Sequence, residues 1–451
     1  MLRASFRICL PLLLLLVSSP LLAAAPDSTH EFTLDNGLKV VVREDRRAPV
    51  VVSQLWYRVG SSDEPPGLTG ISHVLEHMMF KGSDNVEPGQ ASRLLSALGA
   101  QENAFTGRDY TGYYQLLSRD LLPIALELEA ERMRGLTLPE DEFLSELEVI
   151  KEERRLRVDD NPNSLAYERF LTQTYMASPY SQPIIGWMHD IERLTVDDLR
   201  TWYDLHYHPG NAILVLAGDI DLATARELAT TYFGPIPAGP VPPRRPPLEL
   251  PAGGERSITQ YLNVQLPTLL MAYNVPGLVT AEEDWEAYAL RLLNGVLDAG
   301  HSARLASELE RGSGIATSVG ANYDAFSRGD TLFLFSGIPN QSRDADLEQL
   351  EAGIHAQIER LQAEPPSADE LDRVRNQVIA QLVFAQDSIS HQARLIGQLE
   401  SVGLPWSLLD EDIERLQAIT PEQVSDVARR YLQPERLTRS HVLPAHLKES
   451  R

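Results

Sequence analysis

The chain has 451 residues, 43% of them hydrophobic and 23% charged, an ordinary globular composition in a length too great for one compact domain. Its formal net charge of −24 repels nucleic acid and anionic lipid and argues against both as partners. A single cysteine excludes a disulfide framework.

Arg3 and Arg7 precede an apolar run over 8–17, and small residues follow at Ala23-Ala24-Ala25. This reads as a secretory signal peptide over 1–24, too short and wrongly flanked for a membrane span. Cleavage after Ala24 is preferred, because a cut after Ala25 would leave Pro26 at the new terminus. The sole cysteine, Cys9, departs with the signal, and no small-residue lipobox precedes it. The mature protein is therefore expected in the periplasm, without thiol, disulfide or membrane span.

Strands are expected at 32–43 and 50–59 from their β-branched content, with a turn at Asn36-Gly37. A helix follows over 70–82, opened by Gly70-Ile71 and ended by Gly82. It carries His73, Glu76 and His77 among Val74, Leu75, Met78, Met79 and Phe80. Imidazoles at i and i+4 sit about 40° apart around a helix, so both can reach one metal ion. Glu76 is placed to work on a water without being a ligand itself. The order reverses His-Glu-x-x-His and is the pattern of inverted zinc peptidases. A catalytic zinc takes three protein groups and keeps one position open, so a third ligand is required. The five residues alone also fit two core histidines satisfied by hydrogen bonds.

The segment 103–114 alternates polar and aromatic residues as an exposed strand does, and a helix is expected at 121–135. The stretch 139–160 is helical, with Phe143, Leu147, Ile150 and Leu156 as its apolar positions. Glu146 and Glu153, seven apart, nearly eclipse one another on one face with Ile150 between them. Such a pair suits a metal ligand and a neighbour that orients a histidine. The charges of Glu148, Lys151, Glu152, Arg154 and Arg155 equally suit a solvated helix. His206 and His208 would share a strand face, but Pro209-Gly210 follows at once and no thiol or carboxylate pattern supports them, so they read as structural.

Residues 238–255 hold six prolines and three glycines, an extended and semi-rigid linker. It separates domains at 25–237 and 256–451. The two halves end alike: Thr195 and Thr420 each read as a helix N-cap, and Pro209 and Pro434 follow at the same offset. Gene duplication is the natural reading. A strand at 269–275 and helices at 283–298, 345–363 and 367–386 complete the second half. The expected fold class is α/β (α+β): two similar domains, each a mixed, mainly antiparallel sheet covered by helices.

Three segments, GISHVLEHMMFKGS at 70–83, NAFTGRDYTGYY at 103–114 and ELEVIKEERRLRVDDNP at 146–162, resemble the zinc peptidase family of pitrilysin, insulin-degrading enzyme and the mitochondrial processing peptidase. The resemblance covers nearly the whole mature chain. It implies Zn2+ held by His73, His77 and Glu153, with Glu146 in support and Glu76 as the base. It also implies an extended peptide or unfolded polypeptide as substrate, bound by β-augmentation with Asn103 and Ala104 against its backbone.

The second half departs from the family. Active single-chain members carry an arginine and, seven residues later, a tyrosine that stabilises the developing oxyanion. Aligned on Ser318-Val319, this chain has Glu310 and Thr317 at those places. Glu310 has the wrong sign and Thr317 is too short. Arg311 could replace the cation, but nothing replaces the phenol. Some members divide the site between two chains, which implies here the zinc-bearing subunit of a heterodimer whose homologous partner carries the Arg/Tyr pair. A self-sufficient homodimer, a non-catalytic structural subunit and a peptide-binding chaperone are the alternatives.

Overall fold

The computed structural model describes residues 28–241, 243–251 and 253–448; the expected signal peptide and Cys9 lie outside them. The first half contains β1 (Thr29–Thr33), β2 (Lys39–Glu44), β3 (Val50–Tyr57), β4 (Gln101–Thr106), β5 (Thr111–Ser118) and β6 (Ala212–Gly218). Its helices are α1 (Ile71–Met78), α2 (Gln90–Ala97), α3 (Leu122–Gly135), α4 (Glu140–Arg154), α5 (Pro162–Thr174), α6 (Met188–Ile191), α7 (Val196–His206) and α8 (Leu222–Phe233). The second half contains β7 (Arg256–Leu262), β8 (Thr268–Val275), β9 (Ala316–Tyr323), β10 (Thr331–Pro339) and β11 (Leu437–Pro444). Its helices are α9 (Asp284–Asp298), α10 (Leu347–Ala363), α11 (Ala368–Ala385), α12 (Ile389–Val402), α13 (Leu408–Ala418) and α14 (Pro421–Tyr431).

The first sheet runs β1-β2-β6-β3-β5-β4 and the second β7-β11-β8-β10-β9. In each, one pair is parallel (β2–β6 and β7–β11) and the others are antiparallel. Without β1, the two orders superimpose strand for strand, so β4 and β9 are equivalent edges. The helices entering β6 and β11 start alike. Asp198 N donates to Thr195 Oγ1 at 3.2 Å and Gln423 N to Thr420 Oγ1 at 3.3 Å, and each N3 side chain accepts the cap's own amide in return. This reciprocal capping satisfies amides that have no partner within the helix.

The segments 32–43 and 103–114 both fold as hairpins, the first at the expected Asn36-Gly37 turn. The segment 32–43 divides into β1 and β2 around Gly37, whose φ of 92° suits a residue without a side chain. The segment 103–114 divides into β4 and β5, closed where Gly107 N donates to Tyr110 O at 2.8 Å. The helix expected over 139–160 is α-helical only to Arg154 and continues as a π-turn over Arg155–Asp159. Leu156, six residues past Ile150, falls about 240° around from it at 3.6 residues per turn, off the face of Phe143, Leu147 and Ile150, and it is 71% exposed.

Each sheet is covered on one face by helices of its own half. The other face is covered by a helix from the opposite half. Ala166 and Phe170 of α5 pack with Leu270, Ala272, Leu332 and Val442 of the second sheet. Ala393 and Ile396 of α12 pack with Val52, Trp56, Ile213 and Val215 of the first. At Gly397 a methyl group would lie 2.1 Å from the Trp56 ring, so only glycine permits this approach. The proline-rich stretch holds no helix or strand among its described residues, yet it is tied down. Arg244 donates to Asp63 at 2.9 Å and to the Asp109 carbonyl at 2.8 Å, while Glu249 accepts the amides of Ala177 and Ser178.

Candidate metal centre

Helix α1 begins at Gly70, whose φ is 89° and where any side chain would strike the Ile185 carbonyl. Its first amides are taken by a buried carboxylate. Glu64 accepts Gly70 N at 2.7 Å and Ser72 N at 2.9 Å, which fixes the start of the helix. Burial pushes Glu64 up to about 8 against the pull of those two amides.

One turn on, α1 presents His73 and His77 with ring centroids 4.7 Å apart. Across from them, α4 delivers Glu153. Its Oε2 lies 3.5 Å from His77 Nε2 and 3.8 Å from His73 Nε2, and its Oε1 is held by Arg157 at 2.8 Å. Ligand atoms from these three residues fall within 4.8 Å of one another and could hold a metal ion. Two imidazoles and one carboxylate are a donor set that suits zinc.

The two imidazoles sit in different environments. Burial pulls His73 down to about 3, with the charge of His77 acting the same way, so the ring is neutral and offers a lone pair. His73 Nδ1 is buried without a hydrogen-bond partner among the described residues. At His77 burial opposes protonation, but the Glu146 hydrogen bond and charge outweigh it and raise the ring above its ordinary value. Glu146 Oε1 lies 2.8 Å from His77 Nδ1, and its Oε2 is 2.5 Å from Lys81 Nζ. With Nδ1 donating to Glu146, Nε2 is left to face the metal position. That hydrogen bond, against burial, holds Glu146 below the usual carboxylate range.

Glu76 projects between α1 and β4. Burial raises its carboxyl above the ordinary range, opposed by a hydrogen bond from Thr106 Oγ1 to Oε2 at 2.5 Å. His73, Glu76, His77 and Glu153 all open onto one cavity of about 940 Å³, walled on one side by Asn103 to Thr106 of edge strand β4. The Ala104 amide donates to Asn103 Oδ1 at 2.8 Å. Every residue lining this cavity lies between His73 and Ile185; the second half contributes none.

All seven expected site residues thus meet at one place, while His206 and His208 belong to no metal-binding group among the described residues. The sequence analysis missed Glu64, Lys81, Thr106 and Arg157. Arg157 carried a signal, since it stands four residues after Glu153 on a helical stretch. Thr106 carried none, because only the folded hairpin brings it to Glu76.

This inverted His-x-x-Glu-His helix, completed by a glutamate from a second helix beneath an open sheet edge, defines a zinc-peptidase class of site. The chain belongs to peptidase family M16. Residues 39–187 match the model described as insulinase (peptidase family M16), and residues 193–378 match that described as the peptidase M16 inactive domain. His73, Glu76, His77 and Glu153 all fall in the first match. The chain is 33% identical over 375 residues to the zinc protease PqqE of Helicobacter pylori, covering 81% of this chain and 82% of that one. It is 27% identical to the uncharacterized zinc protease YmxG of Bacillus subtilis, over 88% of this chain and 94% of the relative. The crystal structure of a protease from Helicobacter pylori superimposes with a TM-score of 0.85 at 29% identity, covering 93% of this chain and all (100%) of that one.

Proposed function

We propose that this chain is an exported zinc endopeptidase that cleaves extended peptides or unfolded polypeptides in the periplasm. It acts as the zinc-bearing subunit of a pair. The observation that carries the reading is the meeting of His73, His77 and Glu153 beside Glu76 in a cavity edged by an unpaired strand. Zinc held there supplies Lewis acidity toward water and the peptide carbonyl. Peptide adds to the open edge of β4 at Asn103 and Ala104, main chain to main chain, displacing the Asn103 side chain from the Ala104 amide. Glu76, raised by burial and steadied by Thr106, takes the proton of the attacking water on a carboxylate oxygen and delivers it to the leaving amine. Glu146 holds the His77 ring in orientation, and Arg157 holds Glu153.

The confinement of the cavity lining to residues before 186 supports a partner. Among the described residues, none from the second half lines this cavity, and Glu310 and Thr317 are the wrong residues to receive negative charge. A homologous chain carrying the Arg/Tyr pair supplies that function. The test is zinc analysis and peptide hydrolysis with the purified chain, alone and mixed with such a homologue. Stoichiometric zinc with activity that appears only on mixing supports the whole reading. Strong activity alone moves the assignment to a self-sufficient homodimer, and zinc-free protein that still binds peptide removes the enzyme.

A further inference from the structure

A second cavity, of about 340 Å³, lies under the proline-rich strap and takes no part in the metal centre. Four arginines line it, Arg58, Arg244, Arg245 and Arg328, against one carboxylate, Asp63. In a chain of net charge −24 this is a local reversal of sign, and low-dielectric walls concentrate its field.

The four arginines are not equivalent. Arg328 is fully engaged, with Asp109 Oδ1 at 3.0 Å, Asp63 Oδ1 at 2.9 Å and Ser62 Oγ at 2.7 Å. Arg244 is spent on the other Asp63 oxygen and on the carbonyls of Asp109 and Ser401, and its buried Nε has no acceptor. The available carboxylates are thereby used up. Arg58 and Arg245 make no ion pair or side-chain hydrogen bond among the described residues. The carboxylate that acts on Arg58 is Glu400, which is already held by Lys39 at 2.8 Å and by the Trp406 amide. Burial keeps Arg58 below the ordinary arginine range, more than the Glu400 charge restores. His206 lines the same cavity at 8% exposure, its ring tilted against Trp202, and it has no side-chain hydrogen-bond partner among the described residues. Arg245 is exposed and reaches solvent, whereas Arg58 is half-buried with no acceptor among the described residues, so the cost of a missing acceptor falls on Arg58.

We propose that this cavity binds a small dianion, phosphoryl or dicarboxylate in kind, through Arg58 and Arg245. Guanidinium groups present paired donors that match either oxyanion, and the volume suits a small ligand. The site joins three parts of the chain: Arg58 follows β3, Arg245 lies on the strap, and Arg328 comes from the loop between β9 and β10. Arg328 and Arg244 are already pinned, so the cavity is formed before the ligand arrives. A bound anion would fasten the two halves through the strap and would stabilise the folded chain by mass action.

The test uses the zinc-loaded full-length mature chain, titrated separately with inorganic phosphate and with succinate, and read by calorimetry and by the unfolding midpoint. One anion per chain should bind saturably, with Kd below about 1 mM, and the midpoint should rise. Affinity should fall at least about tenfold in Arg58→Gln and again in Arg245→Gln, a loss of one charge-assisted contact each, with zinc content unchanged. A response to phosphate alone assigns a phosphoryl ligand, and a response to succinate alone a dicarboxylate. The same titration in metal-stripped chain must retain the binding; its disappearance there would place the anion on the metal and overturn the proposal. No saturable binding of either anion, or unchanged affinity in Arg245→Gln, overturns it as well.

Discussion

Glu310 Oε1 accepts the backbone amide of Val319 at 3.0 Å, on the strand that forms the outer edge of the second sheet. Asp298 does the same for Ala321 at 2.9 Å. Strand β9 is the counterpart of β4, yet its edge amides are plugged by carboxylates while β4 looks onto an open cavity. Plugging an edge is a recognised guard against unwanted strand pairing. Glu310→Ala should leave the chain folded but raise its tendency to self-associate, which light scattering against concentration will detect. A strictly unchanged association profile would deny Glu310 this role.

Metal retention is the most direct test of the centre. His77→Ala or Glu153→Gln removes one of three ligands and should abolish stoichiometric zinc after dialysis, whereas Glu146→Ala should only weaken affinity, by about 10–100-fold. Full zinc occupancy in His77→Ala or Glu153→Gln would refute the ligand assignment.

Glu76→Gln separates chemistry from binding. The substitution keeps the shape and the Thr106 contact, so zinc and unfolding midpoint should match the parent, while peptide turnover in the competent assembly falls by about 10²–10⁴. Near-normal turnover would exclude Glu76 as the base.

The second half carries its own acid-sensitive cluster. Glu351 receives Arg439 Nη1 at 2.8 Å and lies 2.8 Å from His441 Nε2. Burial disfavours its charge, but His355 at 3.8 Å, the hydrogen bond with His441 and the Arg439 charge outweigh this and hold it far below the ordinary value of 4.5. A depressed folded value means that the stabilisation is fully present above about pH 4.5 and is lost as pH falls below it. Glu351→Gln should lower stability at neutral pH and flatten the acid limb of the midpoint-versus-pH curve. Parallel curves for the two proteins would show that Glu351 contributes nothing to acid sensitivity.

Part of the candidate site was legible because its signal is local, although only the family resemblance singled out Glu153 as the third ligand. His73, Glu76 and His77 lie within about one helical turn, and Glu146 and Glu153 share a face at a spacing of seven. The duplication was legible for the same reason, in the repeated Thr195 and Thr420 caps. Contacts between distant segments were not. Thr106 reaches Glu76 only because the segment 103–114 folds back as a hairpin, and nothing in its alternation marks Gly107–Tyr110 as a reversal rather than continued strand. Leu156 counts among the apolar positions by residue type alone, although six residues past Ile150 it lies about 240° around a helix of 3.6 residues per turn, off their face. The strap looked like a passive linker because proline content reports backbone stiffness and says nothing of where Arg244 and Glu249 find their partners.

The exchange of α5 and α12 between the sheets sets a timetable for synthesis. The first sheet is complete once β6 has formed, but Trp56 and its neighbours stay bare on one face until Ala393 and Ile396 have been made. A nascent chain therefore carries an uncovered apolar wall through the production of nearly all its second half, when it is most exposed to aggregation. A fragment ending at the proline-rich strap would remain in that state, so cutting the gene there yields a sticky intermediate in place of a working module.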